Sequence, residues 1–238
     1  IVRLRVRSSN PFDPPWPALG VKRVQLGNTV FEGRNDVYVL DGDVTTLVDT
    51  GISVPAIEDE LRAGLAEFDL SFADVDQVVL THWHYDHSGL AGAIQAEGGA
   101  TVRVHKADAP LVAGEEGPTT AMRERRAALF DEWGRPADKR EKLEGYLAHE
   151  DDLLGDPAAV TPFADGDRLP AGDTDLEVLH LPGHALGLSV LAFQGDADDR
   201  GDAGAGTGNP PGQEVFSGDA VLPKYTPNVG GADVRVER

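Results

Sequence analysis

Three of the chain's seven histidines and one carboxylate fall within six consecutive residues, His82-Trp83-His84-Tyr85-Asp86-His87. Neutral imidazoles and carboxylates are ligands for zinc, iron or manganese. His82 and His84, two apart, can point the same way from an extended segment. Asp86 and His87 follow after a turn and can face a second ion. A solvated His-rich loop is the bland alternative, but chance rarely orders His-x-His-x-Asp-His between a strand and a helix. Two further stretches offer the same kind of group. His184 stands on a Gly-flanked turn in Leu181-Pro182-Gly183-His184-Ala185-Leu186-Gly187, and Asp219 closes Phe216-Ser217-Gly218-Asp219. Either alone is more often a turn residue. Beside the first cluster they gain weight, because each is a strand-end loop with one ligand-type side chain.

The elements that must position these residues are legible as periods. Val78-Val79-Leu80 is an apolar run typical of a buried strand, and a small-residue helix is expected to start at Gly89-Leu90-Ala91-Gly92-Ala93-Ile94. The cluster therefore sits at the C-terminal end of a strand, where open α/β sheets place their crevices. Strands are expected at Ile1 to Arg7, Val21 to Leu26, Asp36 to Leu40, Thr45 to Val48 and Thr101 to His105, with Asp41-Gly42-Asp43 as a hairpin turn. Pro11 to Pro17 is expected to form a Pro-rich loop. Ser53 and Pro55 suit a helix start, with Val54, Ile57, Leu61 and Leu65 on one face. Residues 108–155 lose strand signals and carry charged helical segments, so a helical insertion is expected there. Strands return at Leu176 to Leu179, Leu188 to Phe193 and Glu214 to Phe216. Gly195 to Gln213 between the last two, rich in Asp, Gly and Pro, is expected to form a flexible hairpin extension.

The 238 residues, 40% hydrophobic, suit a single domain with a sizeable core. With no cysteine, disulfides and thiolate metal sites are excluded. The net charge is −20, from 41 acidic and 21 basic residues. That balance argues against nucleic acid as a partner. It suits the solvated acidic surface of a protein from a very salty cytoplasm, where salt screens self-repulsion. No signal peptide or membrane span is visible. The chain begins at Ile1 and its one Met is Met122, so a trimmed piece of a longer product is expected.

Taken together, Val48-Asp49-Thr50-Gly51, Thr81-His82-Trp83-His84-Tyr85-Asp86-His87, Pro182-Gly183-His184 and Ser217-Gly218-Asp219 resemble, in order, the motifs of the metallo-β-lactamase superfamily. The resemblance runs from about Val21 to Leu222. It implies an α/β fold, a four-layer αββα sandwich with the site along one edge of the two sheets. It also implies two metal ions, zinc first, with iron or manganese as alternatives. By the family's pattern His82, His84 and His184 hold the first ion, Asp86 and His87 the second, and Asp219 bridges them. Asp49 resembles the family's carboxylate that orients the site without coordinating.

Such ligands imply hydrolysis. A divalent ion lowers the pKa of bound water to about 7, and a pair of ions stabilises charge on the attacked group. Asp86 would accept the proton of that water or fix its direction. The expected substrate is an ester, thioester or amide of a small molecule. A ribonuclease or other phosphodiesterase is the second choice, disfavoured by the acidic surface. A mononuclear iron dioxygenase of the same superfamily is a third. One departure stands out: members usually supply another His to the second ion, and no His follows His184. Either the segment that supplies it is missing from this chain or the second site is weak; in this 238-residue form the second ion is expected to be held more weakly than the first.

Overall fold

In the computed structural model the described residues are 20–27, 34–115, 153–194 and 213–222, with isolated positions within 125–138 and 226–236. The expected strand at Ile1 to Arg7, the Pro11 to Pro17 loop, most of the helical insertion and the stretch from Gly195 lie outside them.

Among the described residues, ten strands form two sheets. Strands β1 (Val21–Gly27), β2 (Arg34–Leu40), β3 (Thr46–Val48), β4 (Gln77–Val79), β5 (Thr101–His105) and β6 (Val160–Phe163) make a six-stranded sheet in that order. Its first three strands run antiparallel, and β3 to β6 pair in parallel. Parallel pairing needs crossovers. Helix α1 (Pro55–Ala66) joins β3 to β4, and the short turn α2 (Tyr85–Ser88) with helix α3 (Ala91–Gly98) joins β4 to β5. Strands β7 (Arg168–Ala171), β8 (Thr174–His180), β9 (Ser189–Gln194) and β10 (Gln213–Phe216) form an antiparallel sheet in the order β10-β9-β8-β7.

Side-chain pattern explains the layering. Ile57, Leu61 and Leu65, four residues apart, form the buried stripe of α1, and Pro55 suits its first turn. They pack with Ile94 of α3 on Val24, Val37, Leu47, Val78 and Val102 of the first sheet. Every residue of β3 and β4 is buried, as expected of central strands covered on both faces. The other face of that sheet, through Val21, Leu40, Val48 and Val79, meets Leu169, Leu176, Val178, Leu191, Phe193 and Phe216 of the second. The result is the layered α/β sandwich expected, with helices over the outer face of the six-stranded sheet among the described residues.

Two strands escape the sequence reading, and proline is the reason. β6 carries Pro162 and β7 carries Pro170. Both are edge strands, which tolerate proline because its missing N–H can face away from the single neighbouring strand. Asp86 and His87 lie on the helical turn α2. Among the described residues no helix is long and apolar enough to cross a membrane.

Candidate metal centre

The C-terminal ends of β3, β4, β8 and β10 deliver the candidate residues to one edge of the sandwich. After β4 the chain continues through Leu80 and Thr81 into His82, fully buried; His84 and His87 are buried behind it. The backbone N–H of Ser189 on β9 bonds the Thr81 carbonyl at 2.9 Å and ties the two sheets together beneath the cluster. Gly218, at φ +48°, brings the Asp219 turn against Thr81; a Cβ there would lie 2.8 Å from the Thr81 Cβ.

Three ring nitrogens converge. His82 Nε2 and His184 Nε2 each lie 2.9 Å from His84 Nδ1. On the other side, His87 Nε2 is 3.3 Å from Asp219 Oδ1, and His184 Nε2 is 3.3 Å from Asp219 Oδ2. Asp219 thus touches both halves of the cluster. Asp86 Oδ2 stands 3.8 Å from His87 Nε2. The structure therefore brings all six sequence-predicted residues to one place. Two groupings could each hold an ion: His82, His84 and His184; and His82, His87 and Asp219.

The proton inventory shows that these residues fit a cation. Thr81 Oγ1 lies 3.1 and 2.9 Å from the two oxygens of Asp49, which only accept, so its proton goes there. It then accepts from His82 Nδ1, 3.1 Å away, which leaves the Nε2 lone pair of His82 facing the cluster. Burial, with the neighbouring His87, His84 and His184, keeps His82 from protonating in the ordinary range; burial, with His184 and His87, does the same to His84. His84 Nδ1 has two nitrogen neighbours and can share a proton with only one. His84 Nε2 is buried with no partner among the described residues. Lone pairs crowded without enough protons are a poor hydrogen-bond network and a suitable nest for a metal ion.

The other half is acidic around a charged ring. Burial alone would lower the pKa of His87, but Asp86, Asp49 and Asp219 outweigh it and raise it well above the usual value. Burial would raise Asp219, yet the His87 hydrogen bond and the charges of His87, His184 and His84 hold it at about 2. An ion on His87 Nε2 would displace that ring's proton, as coupling of metal binding to proton release requires.

Three residues that support this centre come from elsewhere in the chain. Asp49 sits at φ 60°, a conformation Asp tolerates, and there its carboxylate accepts the Thr81 backbone N–H at 2.8 Å and His87 Nδ1–H at 2.9 Å. The family resemblance already singled out Asp49. Asn35 at the start of β2 had no sequence signal: its amide donates to the Asp86 carbonyl at 2.9 Å and to Asp86 Oδ2 at 3.1 Å. Thr50 donates from both its N–H and its hydroxyl to the His87 carbonyl, at 2.7 and 2.8 Å.

Comparison with known proteins gives the same picture. A model of the metallo-beta-lactamase superfamily matches residues 30–197. The Bacillus subtilis (strain 168) protein named "Probable metallo-hydrolase YqjP" is 33% identical over 162 residues, covering 65% of this chain and 47% of that protein. An atrochrysone carboxyl ACP thioesterase, nsrC of Aspergillus novofumigatus (strain IBT 16806), is 36% identical over 63 residues, 26% of this chain and 19% of its own. Among solved structures, metallo-beta-lactamase family protein TTHA1429 from Thermus thermophilus superposes with a TM-score of 0.67 at 28% identity, over 88% of this chain and 62% of that one. The subclass B3 enzyme BJP-1 of Bradyrhizobium japonicum shares the fold, with a TM-score of 0.54 at 19% identity over 89% of this chain and 66% of its own. The chain thus spans about half the length of the curated relative YqjP.

Proposed function

Because the chain belongs to the metallo-beta-lactamase superfamily, we propose that it is a metal-dependent hydrolase of an ester, thioester or amide of a small molecule. The observation that carries this reading is the convergence of His82, His84 and His184 beside His87 and Asp219. His82 Nε2, His84 Nδ1 and His184 Nε2 would hold the first zinc. His87 Nε2 and Asp86 would hold the second, and Asp219 would reach both. When bound, such ions supply Lewis acidity and make water nucleophilic at neutral pH. The protein's own part is orientation. Asp49 fixes His87 and, through Thr81, the His82 ring; Asn35 holds one oxygen of Asp86, and the other would accept the proton. The name of YqjP favours hydrolysis, and that of the thioesterase nsrC favours a thioester within the acyl range.

Elemental analysis of purified protein, together with a panel of ester, thioester, amide and phosphodiester substrates, tests the proposal. Zinc with acyl hydrolysis is the expected outcome. Iron with oxygen consumption would make the protein a dioxygenase, and phosphodiester cleavage alone would make it a nuclease relative. Asp86→Asn should keep the first ion but lower turnover by about 10²–10⁴, the range of a general base. Unchanged turnover in a variant with full first-site metal would remove Asp86 from the chemistry.

The acidic composition supports a salt-rich cytoplasm as the working environment. Raising salt from low to molar concentration should then stabilise the fold by screening carboxylate repulsion. A gain of about 2 kcal/mol would raise the melting temperature by roughly 4–8 °C. A melting temperature that does not change with salt would leave the acidic surface without that explanation.

A further inference from the structure

Behind the metal centre lies a second buried charged group that the hydrolytic reading does not use. Asp108 follows β5 at the start of the short helix α4 (Ala109–Val112), and Asp233 and Arg235 come from the far end of the chain. Both carboxylate residues are completely buried. Arg235 Nη2 lies 2.6 Å from Asp108 Oδ1 and 2.6 Å from Asp233 Oδ2, and its Nε donates to Asp233 Oδ1 at 2.9 Å. One planar guanidinium therefore clamps two carboxylates, a geometry that Lys cannot reproduce.

The remaining oxygen valences of that pair go to the two ligand-bearing loops. Asp108 Oδ2 accepts the backbone N–H of Trp83 at 3.2 Å, between His82 and His84. Asp108 Oδ1 accepts the backbone N–H of Gly187 at 2.9 Å. Asp233 Oδ2 accepts the backbone N–H of Leu186 at 2.8 Å and the Trp83 indole N–H at 3.1 Å. Leu186 and Gly187 close the turn that carries His184. Two local features are shaped for this contact. Asp108 occupies the N-cap position of α4, where Asp usually bonds its own helix, yet its side chain makes no cap bond. Gly187 has no unusual φ, but a Cβ there would lie 2.4 Å from the Asp108 carboxyl carbon.

We propose that Asp108, Asp233 and Arg235 form a clasp that positions the His82–His84 and His184 loops against each other, so that the affinity and geometry of the first metal site depend on Arg235. The proposal rests on the reading of those histidines as ligands. None of the three belongs to the ligand set read above; Asp108 and Asp233 are positioning residues that hold the loops by their N–H groups and the Trp83 indole, and Arg235 acts through the two carboxylates. Buried hydrogen-bond partners behind metal ligands typically contribute 10–100-fold in affinity, because they hold ligands at the distance and angle the ion requires.

Cobalt titration of stripped protein tests it, with zinc competition for affinity and the visible spectrum for ligand geometry. Melting of the metal-free protein is recorded alongside. In the wild type, cobalt should bind the first site with a tetrahedral spectrum. R235Q should lose about 10–100-fold in affinity and show an altered spectrum. R235K keeps a charge between the carboxylates but loses the fork. It should recover part of the affinity and not all of it. If R235Q fails to fold, R235K and D108N decide: each is expected to bind more weakly than wild type with a changed spectrum. Wild-type affinity and spectrum in the folded variants, with only the melting temperature lowered, would overturn the clasp while the metal reading stands. A wild type that takes up no cobalt would overturn the metal reading itself, and the clasp with it.

Discussion

His84→Ala is expected to leave a folded protein that no longer holds the first ion and no longer hydrolyses substrate above background. Its Nδ1 is the point at which His82 Nε2 and His184 Nε2 meet, each 2.9 Å away, so its loss removes the middle of the ligand set. Lewis-acid stabilisation is worth several kcal/mol. Losing about 4 kcal/mol alone lowers the rate roughly a thousandfold. The metal-free fold should suffer much less. His84 Nε2 is buried without a partner among the described residues, and removing such a group relieves an unmet desolvation cost of about 1–3 kcal/mol that offsets much of the cavity left behind. Metal content, activity and the melting of stripped protein, measured together, separate these effects. Near-normal metal content in His84→Ala would defeat the ligand assignment. A large drop in the melting of the stripped variant would show instead that His84 serves the fold.

Asp49→Ala should produce the largest change in the protein's own stability. This buried carboxylate satisfies the Thr81 N–H, the Thr81 hydroxyl and the raised-pKa His87 ring at once. Removing it leaves the Nδ1–H of a charged imidazole and a backbone donor without their acceptor, a loss of about 3–5 kcal/mol for a broken buried pair. Alanine also tolerates the positive φ at this position poorly, adding roughly 1–2 kcal/mol. Asp49→Asn separates the causes, because Asn accepts the conformation and keeps one acceptor while losing the charge. It should be less destabilised than Asp49→Ala but still bind metal weakly at His87. Denaturant unfolding of both variants, with metal titration, gives the answer. Equal stability of wild type and Asp49→Ala would show that the hydrogen bonds drawn to this carboxylate are not formed in solution.

The sign of the pH effect on the His87 contribution follows from its raised pKa. A ring whose folded pKa lies above its unfolded value, about 6.5, adds stability that is present below that value and fades as pH rises through the folded pKa. In metal-free protein the Asp49–His87 contribution should therefore weaken on the alkaline side. Asp49→Ala should flatten that dependence.

Much of this centre is legible in the chain because its chemistry is local. Four of the six candidate ligands lie within His82 to His87, and their order can be read without knowing a single distance. The buried stripe Ile57, Leu61 and Leu65 is visible as a period of about one helical turn. The continuous apolar β4 is visible as a short run between turn signals. Each of these signals depends on neighbours within a few positions, which is the range over which backbone geometry fixes where side chains point.

The types of the candidate ligands and their strand-end setting are readable along the chain, and the sandwich class follows from the family resemblance of its motifs. Which side chains back the candidate ligands is visible only in the folded chain. Asn35 meets Asp86 across 51 positions, Gly187 meets Asp108 across 79, Arg235 meets Asp108 across 127, and Trp83 meets Asp233 across 150. An Asn, an Arg or an Asp in isolation is an ordinary surface residue, and nothing in its neighbours marks it otherwise. Prolines in β6 and β7 likewise concealed two strands, each at the edge of a different sheet. The physical reason is common to all of these: hydrogen bonds and ion pairs depend on distance in space, and folding brings remote residues together by packing apolar surface, which carries no local mark of the polar partners it will align.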